Sequence, residues 1–209
     1  MDSFFDTTVI IKTLEYTYIK EELRKKCSEC VKLSEKRLIS FIVKEELERV
    51  IIKRKEIYEN VIKKINNSSF QIDYKKSSFL NKEDQLFAEN MYLKVKSKNL
   101  TELKKEFDSE INFLNYSLIV FIKEKINEIL ITKSELDKSI VLIINEFIKD
   151  FADCKVLASA IQIQQNKQQF VFASADRHFD PNGYNYLENE EPRLEKYLFP
   201  KLKNLLYED

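Results

Sequence analysis

The stretch from Asp150 to Phe179, DFADCKVLASAIQIQQNKQQFVFASADRHF, holds the residue types best placed to do chemistry. Asp153 stands in the first turn of a predicted helix of small and apolar residues (Val156, Leu157, Ala158, Ala160, Ile161), where the helix N-terminus stabilises an anion. A polar turn follows. The run Phe170-Val171-Phe172 then predicts a short strand covered on both faces. That strand leads through Ser174 and Ala175 to Asp176, and ligands of open parallel sheets bind beyond the carboxyl ends of the strands. Two acids from different elements thus meet at one edge. Carboxylates gathered in this way repel one another and take up protons unless a cation neutralises them.

This stretch resembles the signature of the PIN-domain nucleases, in which one aspartate opens a small-residue helix and a second follows the next strand in a T-x-D-x-x-F-like turn. Here that turn reads Ser174-Ala175-Asp176-Arg177-His178-Phe179. The start of the chain is similar to the family's opening. An apolar lead-in from Ser3 reaches Asp6, and Thr7-Thr8-Val9-Ile10-Ile11 reads as a strand turning into a helix. Asp6 and Thr7 match the pattern, while Thr8 stands where Asn is common. By themselves these residues equally describe Asp6 as the cap of a helix beginning at Thr7. Further on, Arg37 to Phe41 is a candidate second strand, followed by a helix through Val50. The resemblance aligns Glu46 with the family's remaining acid, with Glu45 as the runner-up. Without it, either glutamate reads as ordinary support on a helix surface.

The resemblance implies a three-layer α/β/α PIN-like domain with a mostly parallel central sheet. It also implies a metal-dependent endoribonuclease with Asp6, Glu46, Asp153 and Asp176 as catalytic metal ligands. Thr7 and Ser174 would steady the acids by hydrogen bonds, and Arg177 would contact phosphate through its forked donors. Four carboxylates without a cluster of cysteine or histidine point to a hard cation, Mg2+ or Mn2+. His178 reads as a turn or surface histidine, Asp150 as a loop or cap residue, and Asp180 as part of a turn, Asp180-Pro181-Asn182-Gly183.

The elements that must position these acids are mostly helical, because 209 residues with one Gly and three Pro leave little room for tight turns. A hydrophobic fraction of 44% beside 33% charge excludes a disordered chain. Lys+Arg and Asp+Glu are both 35, so nucleic-acid binding would depend on local basic surfaces. Amphipathic spacing predicts helices from Tyr18 to Leu33, from Ile42 past Val61 and Ile65, and from about Lys82 to Leu130. A new helix is expected to start at Ser134, and a broken amphipathic segment from Leu194 to Leu205 to close the sheet edge or pack on the core. Ser68 to Asn81 is irregular and is expected to be the most mobile part. The distance in sequence between Glu46 and Asp153 exceeds that of compact PIN domains. A single PIN-like domain over 1–209 with a helical insertion at about 67–132 is therefore expected.

Cys27, Cys30 and Cys154 form no even disulfide framework, and Cys27 and Cys30 read as core residues. With no charged-then-apolar leader and no apolar run long enough to span a bilayer, a cytoplasmic protein without membrane contact is expected. RNA is the expected substrate, with an antitoxin or other protein partner and homo-oligomer formation as further expectations. Two other readings stand beside the ribonuclease. One is a non-catalytic PIN-fold binding module that uses the insertion for docking, and the other is a structure-specific DNA nuclease.

Overall fold

A computed structural model describes residues 1–15, 20–131, 135–166 and 169–207. The chain is α/β and divides into two compact units, one of residues 1–47 and 120–209, the other of residues 48–119. The first unit carries a five-stranded sheet in which every pairing is parallel. Its strands are β1 (Ser3–Phe5), β2 (Arg37–Ser40), β3 (Glu128–Leu130), β4 (Val171–Ser174) and β5 (Lys201–Asn204), in the order β3-β2-β1-β4-β5.

That order fixes where the site lies. From β1 the chain steps outward to β2 and then β3, but β4 returns to the other side of β1 and steps outward to β5. The crossovers beside β1 and β4 therefore diverge, and such a switch point opens a crevice at the carboxyl ends of the two strands. Phe5 is in register with Ala173, so Asp6 and the Ser174–Asp176 segment emerge side by side. β1 and β4 are buried along their whole length, as their continuous apolar runs require. Phe172 contacts Phe179 edge-on at 5.0 Å, which ties the turn after β4 to the strand.

The helices of this unit are α1 (Thr7–Leu14), α2 (Glu21–Leu33), the first turns of α3 (Phe41–Asn66), the end of α5 (Leu100–Glu124), α6 (Lys138–Asn145), α7 (Phe151–Gln165) and α8 (Pro181–Asn189). α1 packs on α2, α6 on α7, α7 against β2 and α8 against β5. α7 is buried on nearly every side, which its Ala, Ser, Val and Ile content permits. Cys27 and Cys30 are buried in the core, as expected.

The second unit holds the rest of α3, α4 (Lys82–Val95) and the start of α5. Its core includes Ile57, Val61, Ala88, Met91, Leu103 and Phe107, and Tyr58 stacks on Phe107 at 4.0 Å. A capping box formed by Asn81 and Asp84 starts α4. The irregular stretch before it contains a single 3-10 turn, Tyr74–Lys76.

Several expectations change. The helix expected to reach Leu130 ends at Glu124, because Asn127 exchanges hydrogen bonds with the Arg37 backbone through both its side chain (2.8 Å) and its own N–H (2.9 Å). This places Glu128–Leu130 beside β2 as a strand, inside the region expected to be a helical insertion. The helix expected from Ser134 begins at Lys138, capped by Asp137, and Ser134 itself lies outside the described residues, as do Tyr18 and Ile19. The turn expected at Asp180 is the start of α8. Asp180 caps it, Pro181 occupies the first turn, and Gly183 leaves room where a Cβ would lie 2.8 Å from the Asp180 carboxylate. The segment from Leu194 is no helix, but its end, β5, does close the sheet edge. Among the described residues no helix is long and apolar enough to cross a membrane.

Candidate metal centre

Asp6 follows β1 and is only 1% exposed. It occupies the N-cap position of α1 with extended backbone, yet its side chain makes no capping bond. Instead Oδ2 accepts from Thr8 Oγ1 at 2.5 Å and from Ser174 Oγ at 2.8 Å, while Oδ1 is buried with no partner among the described residues. Burial pushes its carboxyl up to about 6, against the pull of those two hydroxyls, and the charge of Asp176 adds to the rise. Asp6 therefore binds side chains on either side of it rather than capping its helix, and keeps one buried oxygen unused.

Glu46 lies in the first turns of α3, whose start is set by the buried Ser40 hydroxyl accepting from Val43 N–H at 3.3 Å. Thr7 Oγ1 donates to Glu46 Oε2 at 2.5 Å, and Oε1 is a second buried carboxylate oxygen without a described partner. Burial pushes this carboxyl up to about 7, with Asp6 and Asp150 repelling its charge and Thr7 and Lys155 opposing the rise. This bond joins Glu46 to the Asp6 segment.

Asp153 sits in the first turn of α7, where Asp150 caps the helix by accepting from Ala152 and Asp153 N–H. Its side chain is 14% exposed. Burial first, and then the charges of Asp6, Asp176, Asp150 and Glu46, push its carboxyl up to about 9. A helix N-terminus favours an anion by no more than about 2 kcal/mol, so repulsion and burial prevail here over the dipole. Asp176, 24% exposed, accepts from His178 N–H at 2.9 Å and is fixed through its own N–H, which donates to Ser174 Oγ at 3.0 Å.

Hydrogen bonds and charge link the four sequence-predicted acids near the switch point: Thr7 bonds Glu46, Ser174 bonds Asp6, and Asp153 and Asp176 both approach His178, whereas Asp6 and Glu46 do not join the group whose ligand atoms all lie within 4.8 Å of one another. Arg177 is exposed on the turn beside Asp176. Sequence reasoning underrated four residues. His178 Nδ1 lies 2.6 Å from Asp153 Oδ2 and 3.2 Å from Asp176 Oδ1. Thr8, the departure from the family pattern, bonds Asp6 and also accepts from Ala175 N–H at 3.1 Å. Asn204 on β5 donates to the carbonyls of Asp176 (2.6 Å) and Phe179 (2.7 Å) and so clamps the turn from a neighbouring strand. Lys12 donates to the Ala175 carbonyl.

This arrangement fits a hard divalent cation. Buried carboxylate oxygens without partners are costly unless they coordinate something or hold a proton. Oxygen donors crowded at one edge are the ligand set such an ion takes. Ligand atoms of Asp153, Asp176 and His178 lie within 4.8 Å of one another, close enough to share one ion. No family model, curated protein or solved structure matches the chain.

Proposed function

We propose that the chain is a PIN-like endoribonuclease that hydrolyses RNA phosphodiester bonds with Mg2+ or Mn2+ held by Asp6, Glu46, Asp153 and Asp176. The observation that carries this reading is that Asp153 and Asp176 stand within reach of one ion while Asp6 and Glu46, linked to them by charge and hydrogen bonds, each keep a buried oxygen unpartnered. Buried acids perturbed by one another in a crevice are the usual signature of a functional site. The fold supports it as well. Parallel crossovers are right-handed almost without exception, and ones that run one way from β1 to β3 and the other way from β3 to β5 would place helices on both faces of the sheet, consistent with a three-layer α/β/α domain.

When bound, such an ion supplies activation of water and neutralisation of charge on the phosphodiester. The chain's own residues do the rest. Thr8 and Ser174 hold Asp6 in one rotamer, Thr7 holds Glu46, and Asn204 fixes the turn that presents Asp176. Lys155 bears on Glu46 and, with Arg177, offers cationic contacts for phosphates next to the acids. An antitoxin or other protein partner, a cytoplasmic setting and self-association belong to this reading.

The zero net charge favours a second reading, a PIN-fold binding module that does not cleave. Incubating a labelled single-stranded RNA and its DNA counterpart with the purified protein and Mg2+ or Mn2+, beside EDTA and Asp153→Asn controls, separates the possibilities. RNA cleavage lost in both controls supports the ribonuclease. Preferential DNA cleavage makes it a DNA nuclease, and metal-indifferent binding without cleavage makes it a binding module.

A further inference from the structure

The turn after β4 holds the single histidine of the chain within reach of two of the acids. Its ring is held in place by its surroundings. The His178 N–H donates to Asp176, and Asn204 binds the carbonyls of Asp176 and Phe179 on either side of it. Phe179 next to it is buried against Phe172.

The distances have a specific meaning. Adjacent ligands of an octahedral ion with bonds of about 2.1 Å stand about 3.0 Å apart, the bond length multiplied by the square root of two. Nδ1 lies 3.2 Å from Asp176 Oδ1, near that spacing, and 2.6 Å from Asp153 Oδ2, a hydrogen bond that an ion taken between the two groups would replace. An independent pointer to a ligand comes from Asp6, 1% exposed, whose Oδ1 has no described partner. Ser174 Oγ links this carboxylate to the turn, donating to Asp6 Oδ2 at 2.8 Å and accepting from Asp176 N–H at 3.0 Å, so the unpartnered oxygen belongs to a carboxylate one hydroxyl away from Asp176.

We propose that His178 coordinates the divalent ion through Nδ1, making the centre a mixed nitrogen–oxygen site that prefers Mn2+ to Mg2+. This rests on the metal reading above and goes beyond it in the ligand set and the ion chosen. Mg2+ takes oxygen ligands almost to exclusion and keeps its waters, whereas an imidazole donor shifts a site toward transition metals. Coordination by Nδ1 requires the tautomer with its proton on Nε2. With the side chain 36% exposed, that N–H is free to meet water or a substrate phosphate.

The test uses the full chain and MnCl2 or MgCl2 alone. Electron spin-echo envelope modulation of bound Mn2+ detects a directly coordinated imidazole nitrogen. Because His178 is the only histidine, labelling histidine with 15N assigns the signal without any substitution. The expected result is 14N modulation that changes to 15N in the labelled protein, with Mn2+ bound about 10-fold or more tighter than Mg2+. His178→Ala should abolish the modulation and narrow the preference between the ions, while its melting curve in EDTA confirms that it folds. Mn2+ binding without histidine modulation overturns the proposal and leaves the carboxylate centre standing. Absence of Mn2+ binding at millimolar concentration overturns both.

Discussion

Replacing Asp153 with Asn should make the metal-free protein more stable, although it removes a residue assigned to the site. In the unfolded chain this aspartate loses its proton near its ordinary value of 3.8, whereas in the folded chain burial and four neighbouring acids hold it until about 9. Between those values the folded state carries a proton that the unfolded state lacks, so stability falls as pH rises through the window. One pKa unit is worth about 1.4 kcal/mol, and roughly three units separate the ordinary value from pH 7, so the folded protein bears a cost of about 4 kcal/mol there. Asparagine bears none of it, while its amide is a weaker partner for His178. A net gain of about 2–4 kcal/mol at pH 7 follows, or a rise in Tm of roughly 5–10 °C for a chain of this size. Urea or thermal unfolding in EDTA from pH 5 to pH 9 measures it. The advantage of Asp153→Asn over the wild type should be small at pH 5 and grow by up to about 1.4 kcal/mol per pH unit. A variant less stable than the wild type by the same amount at every pH would refute the electrostatic account.

The hydroxyls around Asp6 give the opposite result. Thr8→Val and Ser174→Ala should each cost about 1–2 kcal/mol of stability and weaken Mn2+ binding about 10-fold, read by unfolding and calorimetry. Asn204→Leu should leave the Asp176 and Phe179 carbonyls unpaired, cost about 2–4 kcal/mol and loosen the turn, seen as faster amide hydrogen exchange at His178. Burial pushes the thiols of Cys27 and Cys154 up to about 12, so iodoacetamide at pH 8 should label them only after unfolding.

The features legible in the sequence were those written in contiguous residues. The apolar run ending at Asp176 and the small-residue helix behind Asp153 each carry their signal within one element and formed as read, whereas Thr7 to Ile11, read as a strand turning into a helix, lies wholly within α1 and the strand is the lead-in Ser3–Phe5. β3 was not legible. It is three residues long with two of them exposed, and pairing with β2, set by Asn127 and Arg37 far apart in sequence, decides its conformation. Asn204 looked like any polar residue because its partners stand 25 and 28 positions away. Thr8 looked like a loss because the pattern calls for an amide, yet a hydroxyl at that place both donates to Asp6 and accepts from Ala175. The glycine and proline near Asp180 suggested a turn, but the same residues also start a helix when the aspartate caps it. His178 shows the limit most clearly, since a lone histidine in a turn has no spacing to betray what it faces.

The most direct test of the central claim is cleavage of a labelled single-stranded RNA by the wild type and by Asp6→Asn, Glu46→Gln, Asp153→Asn, Asp176→Asn and Glu45→Gln, each shown to be folded. The account predicts metal-dependent cleavage by the wild type, reduced about 100-fold or more in the first four variants and retained in Glu45→Gln. Cleavage that persists in EDTA, or that survives loss of these four acids, would contradict it.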